Sequence, residues 1–277
     1  MSDSTNVDFD ERDLDWSPGI DTGYPDALAA EDTVENLALC GARDFPQHLW
    51  IEPRDWKDKA RENDKLHLWP DDYRNRFTNQ SPTHECTCHS YIQNFEIAWN
   101  RQRRSKQSAV WMSALSLYAR ANPGRWGGSS MQKTLRLAME EGVLPENNGP
   151  KGLKSQMELF QHTLHNTSGS DSTRGGPWVP ASRFPAGWHA TARHFKPIEV
   201  VNPDEWEQMV CLVLRGIACS LGRKGHAIPY TKIVWRNDQL FASYPDSYDV
   251  VRYDSINNIK SGVGGSYGIV TTTIPDD

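Results

Sequence analysis

The feature that most constrains the fold is a change of hydrophobic period partway along the chain. After Cys86, apolar residues recur at offsets of three and four: Tyr91, Ile92, Phe95, Ala98 and Trp99 share one helical face. That spacing predicts a helix from Cys86 to about Lys106. A second is expected over Ala109 to Ala121, with Met112, Leu115, Leu117 and Tyr118 in its core and Asn122-Pro-Gly124 ending it. A third follows Ser129 or Ser130, either of which can cap it, and stops at Gly142. Asp204 to Arg215 reads as a fourth. Beyond it the period falls toward two. Ala227 to Trp235, Gln239 to Tyr244, Tyr248 to Tyr253 and Tyr267 to Ile274 read as strands, with Asn237-Asp238 and Pro245-Asp246 as turns. Helices first and antiparallel strands second is an α+β pattern.

The flanks differ from this body. Residues 1–45 carry 12 acidic and 2 basic side chains, whereas residues 46–277 carry 24 and 28. This split predicts an acidic N-terminal arm, 1–45, on a near-neutral domain, 46–277. It argues against nucleic acid as the main partner, because counterion release needs a basic face. The one basic run, Arg101 to Lys106, is short and reads as a solvated helix end. Trp50 to Arg76 reads as an irregular lead-in with one short helix. Residues 147–187 read as a long loop region, with a short helix around Lys151 to His162. Most of the eleven Trp are expected in the core.

Five cysteines at irregular spacing (Cys40, Cys86, Cys88, Cys211, Cys219) make a poor disulfide framework. The first ten residues lack the apolar stretch of a secretory leader. The longest apolar run, Met209 to Leu221, is broken by Arg215 and Gly216 and is too short for a membrane span. The expectation is synthesis in a reducing cytoplasm, with free thiols and no membrane partner.

The chemistry concentrates in Asn79-Gln-Ser-Pro-Thr-His-Glu-Cys86. Gln80 precedes a cysteine that opens an amphipathic helix. A helix N-terminus favours negative charge and so the thiolate, the attacking species in acyl transfer. A side-chain amide and the backbone N–H of the cysteine can together hold an oxyanion. About 140 residues downstream, Gly225-His226-Ala227 opens the strand-rich part, at the separation a Cys–His peptidase uses. Asp254, at the end of a later strand, can accept from the imidazole and orient it.

With these residues in view, the chain resembles the papain-like cysteine peptidases over about residues 74–272. Gln80 and Cys86 match that family's oxyanion glutamine and nucleophile at its spacing, and Glu96 sits where members often carry a glutamate. Trp126-Gly127-Gly128-Ser129 is similar to the segment lining the substrate cleft, Gly225-His226-Ala227 to the histidine motif, and Asp254-Ser255 to the Asn-Ser pair. The resemblance implies a helical half (about 80–165), an antiparallel β-barrel-like half (about 188–277) and a cleft between them. It implies Cys86, His226, Asp254 and Gln80 as catalytic residues, Trp126, Gly127 and Gly128 as substrate-binding, and no cofactor. Thr87 stands where the family has an aromatic residue, Asp254 where it has Asn, and Ile256 where it has Trp. The prosegment and disulfides of secreted members are not evident.

Other readings stand beside this one. Cys88 is a rival nucleophile but falls off the spacing from Gln80. His84, Cys86, Cys88 and His89 are zinc-type ligands, yet too tightly spaced for a usual site, so no metal is expected. The expected activity is thiol-dependent hydrolysis of peptide or isopeptide bonds, with a peptide or protein as substrate and a protein partner for the acidic arm. The alternative is a structural or interaction protein that retains the fold, for example a bacteriophage virion component.

Overall fold

The computed structural model describes residues 42–66, 68, 85–102, 111–121, 129–145, 184, 186–223, 226–246, 250–260 and 265–273. Residues 1–41, the expected helix at 151–162, Gln80, and Trp126 to Gly128 lie outside the described residues.

Seven helices are described: α1 (Trp56–Asp64), α2 (Cys86–Gln102), α3 (Ala114–Ala121), α4 (Met131–Glu141), α5 (Trp188–Ala192), α6 (Trp206–Leu214) and α7 (Ile256–Lys260). The strands are β1 (Arg43–Asp44), β2 (Pro197–Asn202), β3 (Cys219–Arg223), β4 (His226–Tyr230), β5 (Lys232–Arg236), β6 (Gln239–Asp246), β7 (Val250–Ser255) and β8 (Tyr267–Thr272). They form a five-stranded sheet, β1-β2-β8-β3-β4, and a three-stranded sheet, β5-β6-β7. All pairings are antiparallel except that of β1 with β2. Helices thus dominate the first half and antiparallel sheets the second. Among the described residues the β half is two sheets and no closed barrel.

The local chemistry accounts for the boundaries. Ser130 caps α4, its side chain accepting from the Lys133 N–H at 3.1 Å. Gly142 ends that helix at φ +85, where a Cβ would meet the Ala192 carbonyl oxygen at 1.8 Å. Asn237 and Asp238, at φ 47 and 57, make a two-residue turn that sets the register of β5 against β6. Two expectations fail here. Ala227 to Trp235 is two strands that break at Thr231, not one. Pro245-Asp246 is no turn: both residues stay in β6, opposite Val251 and Val250. β2 and β3 were not expected as strands at all.

The central element is α2, buried on every side from Cys86 to Trp99. Its apolar side chains pack against α3, α4 and the sheet, and its core reaches Ala227 and Tyr267. Its polar groups are pinned to strands. Asn94 donates to the Tyr267 carbonyl (3.2 Å) and accepts from the Ile269 N–H (3.3 Å). Ser220 donates to the Ser90 carbonyl (3.2 Å), and Gln102 donates to the Thr272 hydroxyl (2.9 Å). Buried polar groups tolerate few alternative partners, so these bonds fix the helix, and Cys86 at its start, against β8 and β3, and β3 pairs with β4, the strand that His226 opens.

A second core lies under α6, where Leu212, Ile228, Tyr230 and Ile233 pack together. Here α1 joins the β half. Asn63, fully buried, donates to the Val213 carbonyl (2.8 Å) and accepts from the Ile233 N–H (2.8 Å).

Candidate active site

Cys86 is the first residue of α2, at the end of the helix whose dipole favours a negative charge. His226 is the first residue of β4. The two side chains meet across the boundary between the helical and β halves, close enough for the sulfur to raise the imidazole's affinity for protons. Nε2 of His226 lies 2.9 Å from Asp246 Oδ1, so Nδ1 is the ring nitrogen turned away from the carboxylate. Cys86 is 0% exposed and His226 1%.

The electrostatics follow from this packing. Burial alone pulls the imidazole's affinity for protons down. The Asp246 hydrogen bond and the Cys86 sulfur outweigh it and raise the His226 pKa from 6.5 to about 9. Burial likewise pushes the Asp246 carboxyl up, but His226 and Arg252 together hold it below its ordinary value. Arg252 Nε donates to Asp246 Oδ2 at 2.6 Å.

The carboxylate that meets His226 is Asp246, not Asp254. Asp254 is buried, and its Oδ2 accepts from the Tyr230 hydroxyl at 2.6 Å. Register explains the difference. Asp254 pairs with Ala242, four residues before Asp246 on β6; at strand rise that is roughly 13 Å along the sheet. One signal in the sequence points to Asp246: it too begins an Asp-Ser pair, Asp246-Ser247. Arg252 gave no signal of its own beyond lying on the next strand.

The remaining residues separate cleanly. Cys88 is fully buried, and desolvation, with Glu85 adding to it, pushes its thiol far above the ordinary value; bonds from Thr87 and Thr134 offset this only in part. Such a thiol stays protonated and poorly nucleophilic. Thr87 accepts from the Thr134 hydroxyl at 3.3 Å and ties α2 to α4. Glu96 accepts from the Met112 N–H at 2.7 Å. Glu85 and His89 approach to 3.7 Å beside the helix start. Among the described residues no group of three or more His, Cys, Asp or Glu is placed to hold a metal ion. Among them, too, no helix is long and apolar enough to cross a membrane. Gln80, Trp126, Gly127 and Gly128 lie outside the described residues.

No protein-family model and no curated protein matches the sequence. Solved structures do match. Xylellain, a cysteine protease from Xylella fastidiosa, superposes with a TM-score of 0.56 at 13% identity, over 83% of this chain and 91% of that one. Procathepsin B S9 from Trypanosoma congolense gives 0.53 at 9% identity, over 84% and 82%. The chain has the fold of the papain-like cysteine proteases.

Proposed function

We propose that the protein is a cysteine peptidase in which Cys86 is the nucleophile, His226 the general base and acid, and Asp246 the residue that orients His226. The observation that carries this reading is the contact of Cys86 with His226 while the far ring nitrogen is held 2.9 Å from Asp246. The Cys86 thiol passes its proton to His226 Nδ1, and the sulfur attacks the carbonyl carbon of a peptide or isopeptide bond. The Cys86 N–H and the Gln80 side chain stabilise the oxyanion. As the intermediate collapses, His226 protonates the departing amine and a thioester remains. Water, deprotonated by His226, then releases the acid and regenerates the thiol.

Trp126, Gly127 and Gly128 are proposed to line the substrate cleft. The full burial of Cys86 and His226 adds a condition: the chain covering the sulfur must move before a peptide carbonyl can reach it. The same burial favours a second reading, an interaction protein that keeps the fold without turnover.

Hydrolysis of an unfolded protein substrate, read by mass spectrometry of the products, separates the two. The peptidase reading expects cleavage by the wild type under reducing conditions and loss in both Cys86→Ala and His226→Ala. Cleavage that persists in Cys86→Ala, or a wild type inert toward all substrates although Cys86 reacts with a thiol probe, favours the second reading.

A further inference from the structure

Asp246 has both carboxylate oxygens engaged. Oδ1 meets His226 Nε2 at 2.9 Å and Oδ2 accepts from Arg252 Nε at 2.6 Å. Arg252 stands opposite Tyr244 on the neighbouring strand, so it reaches Asp246 diagonally on one face of the β6–β7 pair. The Asp246 side chain is 2% exposed and that of Arg252 28%. Arg252 thus spans from the buried site to its solvated edge.

The charges decide what this bond does. The attacking state holds a thiolate, an imidazolium and the Asp246 carboxylate, which sum to one net negative charge in a site closed to water. Asp246 steadies the imidazolium but opposes the thiolate beside it. A second cation on the far side of the carboxylate removes that opposition. Because Arg252 is partly solvated, it supplies the charge without the full desolvation cost of a buried guanidinium. Its grip on Oδ2 also keeps Oδ1 aimed at the ring.

We propose that Arg252 is a positioning residue, resting on the reading of Cys86 and His226 as the catalytic pair: it neutralises Asp246, so that a carboxylate can orient the imidazole without disfavouring the thiolate. The groups that face Asp246 among the described residues are His226 from β4 and Arg252 from β7; those that face His226 are Asp246 and Cys86 from α2. The nearby carboxylate on β7, Asp254, is held by Tyr230.

The test is the rate of Cys86 alkylation by iodoacetamide against pH, mapped by mass spectrometry on the full chain. Arg252→Gln is expected to move the acid limb of that profile up by about one pH unit, with a roughly tenfold slower reaction at pH values on the limb. Arg252→Lys, which keeps the charge, should retain most of the wild-type limb. The discriminating variant is Asp246→Asn combined with Arg252→Gln. With the carboxylate gone the cation is no longer needed, so the double variant should regain the wild-type limb that Arg252→Gln lost. A purely structural role for Arg252 predicts a lower melting temperature without a shifted limb, and no rescue by a second substitution. An unshifted limb in Arg252→Gln, or a double variant no better than the single one, overturns the proposal. A wild type in which Cys86 never reacts ahead of the other thiols overturns the catalytic-pair reading and this proposal with it, an outcome distinct from the first two.

Discussion

His226 Nε2 and Asp246 Oδ1 lie 2.9 Å apart, joined by the start of one strand and the end of another across an intervening hairpin. Asp254, on the next strand, sits with Tyr230 instead. The two carboxylates should therefore respond differently to substitution. Asp246→Ala is expected to lower kcat/KM by about 10²–10⁴. Asp254→Asn, which keeps an acceptor for the Tyr230 hydroxyl, should leave kcat/KM within a few-fold while costing about 1–2 kcal/mol of stability. Steady-state kinetics and urea unfolding of both variants check this.

Gln80 is expected to act only on the oxyanion. Gln80→Ala should lower kcat by about 10²–10³. Alkylation of Cys86 by iodoacetamide generates no oxyanion, so its rate should stay near that of the wild type. A parallel loss in both assays would mean that Gln80 supports the thiolate or the fold instead.

The His226 pKa of about 9, raised from 6.5, makes stability depend on pH. A group with a raised folded pKa binds its proton more tightly in the native state. Its contribution is complete below about pH 6.5 and is lost as pH rises through about 9. At full size it is on the order of 3 kcal/mol, counting 1.36 kcal/mol per pKa unit. Asp246 works in the opposite sense: its lowered pKa stabilises above the ordinary carboxylate range and the benefit fades as acid protonates it. Urea midpoints should fall between pH 6.5 and 9 in the wild type. That fall should be much flatter in His226→Ala.

Asn63 joins α1 to the β half, with its amide on the Val213 carbonyl and its oxygen on the Ile233 N–H, both at 2.8 Å. Asn63→Ala strands two buried backbone groups, at a cost of about 2–4 kcal/mol. Denaturant unfolding reads the loss. Because Asn63 is remote from the sulfur, the pH dependence of Cys86 alkylation in the folded fraction should not change.

What was legible in the sequence tracks what is local. The helix at Cys86, a serine cap at 129 or 130, the stop at Gly142 and the turn at Asn237-Asp238 each announce themselves within a few residues, and each is present, with Ser130 as the cap. The strand β3 escaped because it continues an apolar run from α6 that alternation cannot resolve; β2 escaped because its burial does not alternate, Ile198 being exposed, Glu199 half-buried and the last three residues all buried. Asp246 is hidden for a different reason. Pro245 suggested a turn, yet Pro245 and Asp246 continue β6 in register with Val251 and Val250. Choosing between two Asp-Ser pairs needed the strand register, which is a long-range property. Arg252 is less visible still, since its role lies wholly in what it touches.

The most direct measurement of the central claim is covalent capture by the epoxysuccinyl inhibitor E-64 at near-neutral pH, with the adduct located by peptide mapping. One adduct is expected, on the sulfur of Cys86 and on none of the other four cysteines, formed rapidly in the wild type and lost in His226→Ala. Slow, equal modification of several cysteines, or an adduct on Cys86 that forms as fast without His226, contradicts it.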